Sequence, residues 1–154
     1  MPARDVPVLV VEDDDDTREV LRLLLEDEGY RVLEARDGAE GLGALRASRE
    51  PLVVIVDWWM PLMDGLQMLG AAARLAYGRH HRYVLLSATY DPRELRRRGL
   101  PALLDVTVMR KPFHVEELLA EVAYQAERVV RWAAPDAADA ADEHLTPHRQ
   151  QSAS

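Results

Sequence analysis

The chain has 154 residues and no cysteine. Disulfides, thiolate zinc sites, iron–sulfur clusters and cysteine nucleophiles are thereby excluded, and the composition fits a reducing compartment. Lysine is almost as scarce: of 19 basic residues, 18 are arginine and one is Lys111. Against such a bias the surviving lysine marks a position to examine. Aromatic residues make up 6% of the chain, with a single phenylalanine, Phe113. No apolar run approaches the ~20 residues of a membrane span. The short apolar stretch 6–11 ends in five acids, so it does not read as a signal peptide. Net charge is −8, which works against non-specific nucleic-acid binding. These absences predict a soluble, cytoplasmic protein with no membrane partner and no direct nucleic-acid partner.

The length suits one domain and a tail. Apolar runs at 6–11, 32–35, 52–56, 83–86 and 105–109 read as strands. Between them lie stretches with helical spacing. Residues 17–28 carry Val20, Leu21, Leu24 and Leu25, with N-caps available from Asp14 to Asp16 and a stop at Gly29. A second helix opens at Asp37-Gly38 and bears Ala39, Leu42 and Leu45; a third covers 66–76. A short one runs from Asp91-Pro92 to Arg98, and a long one covers 115–132. Five β-α repeats imply an α/β fold: a parallel sheet with right-handed crossovers and helices on both faces. Residues 1–132 are expected to form this domain. Residues 133–154, Ala/Asp-rich and then polar, read as a flexible acidic tail.

In an open parallel sheet, ligands sit beyond the carboxyl ends of the strands. Those ends carry Glu12 and Asp13 after the first strand, Asp57 after the third, Ser87 after the fourth and Lys111 after the fifth. Three neighbouring carboxylates repel one another, so a counter-charge is needed. Mg²⁺ suits oxygen ligands of this kind. A carboxylate beside a divalent cation and an ammonium can act as a nucleophile toward phosphorus, and the cations would neutralise charge on the equatorial oxygens.

These residues, in order and at these spacings, resemble a response-regulator receiver domain, the phosphoacceptor of two-component signalling. The motifs are Val10-Val11-Glu12-Asp13-Asp14, Asp37-Gly38-Ala39-Glu40, the loop from Asp57 through Trp58-Trp59-Met60-Pro61 to Asp64-Gly65, Leu86-Ser87-Ala88, and Lys111-Pro112-Phe113. The resemblance covers 6 to about 131. It implies a flavodoxin-like, doubly wound five-stranded sheet of order 2-1-3-4-5. It also implies Asp57 as phosphoacceptor, Asp13 as a direct Mg²⁺ ligand with Glu12 behind it, and the main-chain carbonyl of Trp59 as a further ligand. Ser87 would follow the phosphoryl group, Lys111 would bind it, and Lys111-Pro112 would be a cis peptide. A compact ammonium on a long stem suits that task better than a planar guanidinium. Such a protein is a self-phosphorylating signalling partner rather than an enzyme by role. Its partners would be a sensor histidine kinase or phosphotransfer protein, a downstream protein, and a second copy through helix 4, strand 5 and helix 5.

Three positions depart from the family pattern. Val108 stands where an aromatic ring usually reports phosphorylation, Trp59 is larger than usual, and Thr89 flanks the path of water to the acyl phosphate. A receiver used as a phosphorylation-independent binding module therefore remains an alternative. An Asp-nucleophile phosphatase is the weaker rival, because Trp59 stands where its second Asp would be. Blander readings apply elsewhere. His80-His81 reads as a loop pair, His114 as helix-start surface, and Trp58 and Trp59 as packing or partner surface. Arg93, Arg96, Arg97 and Arg98 read as a solvated face that doubles as a basic docking edge.

Overall fold

The computed structural model describes residues 2–88 and 91–133. Five strands and five helices alternate: β1 (Val8–Val11), α1 (Asp15–Asp27), β2 (Val32–Ala35), α2 (Gly38–Ala47), β3 (Val53–Asp57), α3 (Gly65–Ala72), β4 (Arg82–Ser87), α4 (Pro92–Arg97), β5 (Val106–Arg110) and α5 (Val115–Ala133). All pairings are parallel, in the order β2-β1-β3-β4-β5. The expected fold class is therefore the observed one. No described helix is long and apolar enough to cross a membrane. Thr89 and residues 134–154 lie outside the described residues, and with them most of the expected tail.

Side chains alternate across a strand, so each β-branched strand feeds two cores. Leu9, Val11, Val54, Val56 and Leu85 face α2, α3 and α4, where Leu42, Leu45, Leu69 and Leu95 are buried. Val8, Val10, Val53, Ile55 and Val84 face the other way, onto Leu21 and Leu25 of α1 and Leu118, Val122 and Ala126 of α5. Each such side chain contributes about 1.5–3 kcal/mol of burial. Four helices start on an aspartate that accepts from a backbone amide of the first turn: Asp14, Asp37, Asp64 and Asp91. Each cap is worth ~1 kcal/mol. Gly29 ends α1 at φ +93°, a conformation that glycine adopts freely.

Several boundaries differ from the sequence reading. Pro7 precedes β1, which begins at Val8 rather than residue 6. β3 extends to Asp57, because Asp57 still pairs with Leu86 across the ladder. α3 ends at Ala72, not at residue 76, because the chain tightens there: the Arg74 and Leu75 amides donate to carbonyls only three residues back. This lets Gly78 approach so closely that a Cβ there would lie 1.9 Å from the Ala72 carbonyl oxygen. Tyr83, fully buried on β4, donates its hydroxyl to the Gly78 carbonyl at 2.7 Å and pins the turn.

Candidate functional site

The ladder register brings the strand ends together. Val11 pairs with Val56, and Asp57 pairs with Leu86, so β1 and β3 end side by side. Glu12 and Asp13 leave β1 directly above Asp57. One carboxylate oxygen from each of Glu12, Asp13 and Asp57 lies within 4.8 Å of the others. Asp13 is exposed; Glu12 and Asp57 are buried. From β5, Lys111 reaches Asp57 with its Nζ 2.9 Å from Oδ1. The Lys111 amide donates to the Ser87 carbonyl at 2.8 Å, and the Lys111-Pro112 bond is cis. Ser87 ends β4 at 1% exposure.

Glu12 shows what the cluster lacks. Its Oε1 accepts from the Asp14 amide at 3.2 Å, while its Oε2 is enclosed with no hydrogen-bond partner. Burial, reinforced by the neighbouring Asp57 carboxylate, pushes its carboxyl up to about 7. A buried carboxylate oxygen without a donor is costly. A hard divalent cation removes both the missing partner and the repulsion, so the residues fit Mg²⁺ on the chemistry of their donors.

The rest of the site is packed around these groups. Gly65 opens α3 against the Asp57 backbone, where a Cβ would lie 2.5 Å from the Asp57 carbonyl oxygen. Its amide donates to the Trp58 carbonyl at 2.8 Å. Trp58 is buried among the α2, α3 and α4 side chains, whereas Trp59 is 59% exposed and stacks on it at 5.1 Å. The two neighbours thus divide the packing and surface roles that the sequence left open for both. Arg98, just past α4, lies 5.6 Å over the Trp58 ring. Arg18 donates to the Glu12 carbonyl at 2.9 Å. Neither arginine is marked by local sequence, since each contact joins separate elements. Asp14 is the cap of α1, as read from sequence, and His114 is exposed at the start of α5. Arg93, Arg96 and Arg97 are exposed on or beside α4; Arg98 also pairs with Glu94. His81 is the surprise: it is buried and takes a hydrogen bond from the Leu52 amide at 3.0 Å.

A parallel sheet of this order, with acids and a lysine gathered at its C-terminal edge, has the form of a phosphoacceptor signalling domain. The family model for the response regulator receiver domain matches residues 8–123, and the chain belongs to that family. Response regulator MprA of Mycobacterium sp. (strain KMS) is 36% identical over 136 residues, which is 88% of this chain and 56% of that protein. MprA of Mycolicibacterium vanbaalenii is 38% identical over 122 residues, 79% of this chain and 49% of that one. The chain thus spans about half the length of these curated relatives. Among solved structures, chemotaxis protein CheY4 of Vibrio cholerae superposes with a TM-score of 0.68 at 27% identity, covering 79% of this chain and 98% of that one. The receiver domain of a Syntrophus aciditrophicus signal transduction histidine kinase gives 0.69 at 27% identity, covering 85% and 94%.

Proposed function

We propose that Asp57 accepts one phosphoryl group from the phosphohistidine of a sensor histidine kinase or phosphotransfer protein. An Asp57 carboxylate oxygen forms the new bond to phosphorus as the phosphorus–nitrogen bond breaks. The departing imidazole nitrogen keeps the bonding pair and takes up a proton. Lys111 holds a phosphoryl oxygen by charge, and the Ser87 hydroxyl donates to another. Asp13, Asp57, the Trp59 main-chain carbonyl and, through water, Glu12 would hold Mg²⁺. When bound, the ion supplies Lewis acidity that stabilises the charge on the transferring group.

The observation that carries this reading is the Lys111 ammonium, 2.9 Å from Asp57 beside two further acids. The chain then acts as a cytoplasmic receiver, a signalling protein rather than an enzyme. Its output is a protein contact made by a shifted population of states. The α4–β5–α5 face, where β5 is mostly half-buried, is offered to a downstream protein or to a second copy.

Incubation with a small phosphodonor and Mg²⁺, followed by intact mass measurement, tests the assignment. Wild type gains one phosphoryl group; Asp57→Asn gains none, and a chelator abolishes the gain. Equal labelling of Asp57→Asn would sink the site. A folded wild type that takes up nothing favours the phosphorylation-independent binding module, a reading that half-buried Val108 supports.

A further inference from the structure

Asp13 is the exposed member of the acid cluster, and the residues on either side of it set its place. Glu12 is held at three atoms. Its amide donates to the Ala35 carbonyl of β2 at 3.1 Å, its carbonyl accepts from Arg18 Nη1 at 2.9 Å, and its Oε1 accepts from the Asp14 amide at 3.2 Å. Asp14 in turn caps α1, accepting from the Thr17 amide at 3.3 Å. Of these ties, only the one to the Glu12 carbonyl comes from a charged side chain.

Arg18 is itself tied down. It stands on the first turn of α1 with its side chain 12% exposed. Nη2 donates to Asp15 at 2.5 Å, and Nε lies 3.6 Å from Glu34 on β2. The planar fork thus joins the end of β1, the start of α1 and the edge strand β2, which a single-point ammonium cannot do. Arg22, one turn on, gives an internal contrast. It shares Glu34 at 3.7 Å and pairs with Glu19 and Glu26, but makes no bond to Glu12. Each arginine carries one positive charge. Charge alone would make either of them repel a divalent cation at the neighbouring cluster.

We infer that Arg18 is a positioning residue for the cation: by fixing the Glu12 carbonyl, it fixes the turn that presents the Asp13 carboxylate. Mg²⁺ needs its oxygens at about 2.0–2.1 Å in a near-ideal octahedron, so a loose turn weakens binding even when every ligand is present. Groups behind the ligands commonly set metal affinity by about 10–100-fold. The inference rests on the reading of Glu12, Asp13 and Asp57 as a Mg²⁺ site. It adds a sign that charge cannot supply: losing Arg18 weakens binding of the ion, although a positive charge has been removed.

Isothermal titration of the full chain with Mg²⁺, with no phosphodonor present, tests the role. Arg18→Met should bind at least roughly tenfold more weakly than wild type. Arg22→Met, which removes the same charge, should bind as wild type does. Arg18→Lys keeps the charge and one donor group, and should recover part of the loss. In chelator, the Glu12 amide should exchange faster in Arg18→Met than in Arg22→Met, a reading that needs no ion. Circular dichroism checks that each variant is folded; should Arg18→Met not fold, Arg18→Lys decides by the same readings, with a smaller loss expected. Unchanged or tighter binding in a folded Arg18 variant would overturn the inference, and so would an equal loss in Arg22→Met. Asp13→Ala separates this role from the reading beneath it. Binding lost in Asp13→Ala but kept in Arg18→Met removes only the role of Arg18; binding unaltered in both removes the cation site as well.

Discussion

The C-terminal end of the sheet buries Glu12 at 4% exposure; the N-terminal end buries His81 at 3%. Burial drives both toward their neutral forms, but their surroundings differ. Glu12 sits among like charges with one oxygen unmet, and its carboxyl rises to about 7. His81 has its acceptor nitrogen satisfied by a fixed backbone amide, no carboxylate acts on it, and its imidazole falls to about 4. The same physical cause therefore gives opposite pH slopes at the two ends. Depth of burial alone does not distinguish a site from a strut. The difference lies in what each group still lacks: Glu12 keeps an enclosed oxygen with no partner, whereas His81 has no enclosed atom left unmet among the described residues.

The largest expected effect comes from His81. Its folded value lies below the ordinary 6.5, so between pH 6.5 and 4 the unfolded chain takes up the proton first. Stability present at neutral pH should be lost across that window, on the order of 3 kcal/mol. His81→Gln keeps an acceptor for the Leu52 amide and does not titrate. Urea midpoints at pH 7 and 4.5 should fall less for this variant than for wild type; equal falls would break the comparison at that end.

The next effect has the reverse sign. Glu12 is raised above its ordinary 4.5, so as pH rises toward 7 the unfolded chain loses its proton first. Without divalent cations, this group should destabilise the fold by about 1–3 kcal/mol between pH 4.5 and 7. The difference in urea midpoint between wild type and Glu12→Gln, measured with a chelator at pH 5 and 7.5, should reveal it. A difference independent of pH would mean that Glu12 is not the strained group.

Cation binding sharpens the contrast further. Asp13→Ala should weaken Mg²⁺ binding at least roughly tenfold, about 1.4 kcal/mol, by isothermal titration. His81→Gln should leave it unchanged. The smallest effect is at Arg98. Arg98→Ala removes the cation over Trp58 and should cost ~0.5–1 kcal/mol in thermal unfolding, with Trp59 still exposed.

The acid end was the more legible in sequence, and the reason is geometric. Apolar runs that stop at Glu12 and Asp57 announce strand ends, and parallel topology places such ends together. The converging lysine follows from the same rule. The helix starts were equally plain, because Asp37, Asp64 and Asp91 each precede a residue pattern that needs a cap. His81 was hidden because its partner is the Leu52 amide, 29 residues away, and nothing near His80-His81 records it. The end of α3 was hidden too: Ala73 to Ala76 continue the helical spacing, and only the approach of Gly78 to the Ala72 carbonyl shows why the helix stops early. Trp58 and Trp59 share a composition and a loop, yet one is core and the other surface, a choice made by backbone direction rather than by residue type.

The ion pair between Lys111 and Asp57 joins the chain's only lysine to the centre of its acid cluster. In most proteins an amine-selective acylating reagent would scatter over many side chains. Here it has one lysine to find, and that lysine is 36% exposed at its side chain, with the ammonium on a buried carboxylate. Acylation there removes the positive charge and adds mass in one step. A single lysine adduct is therefore a footprint: its rate of formation reads how firmly Asp57 holds the ammonium, and anything that occupies the site is registered as protection of one known atom.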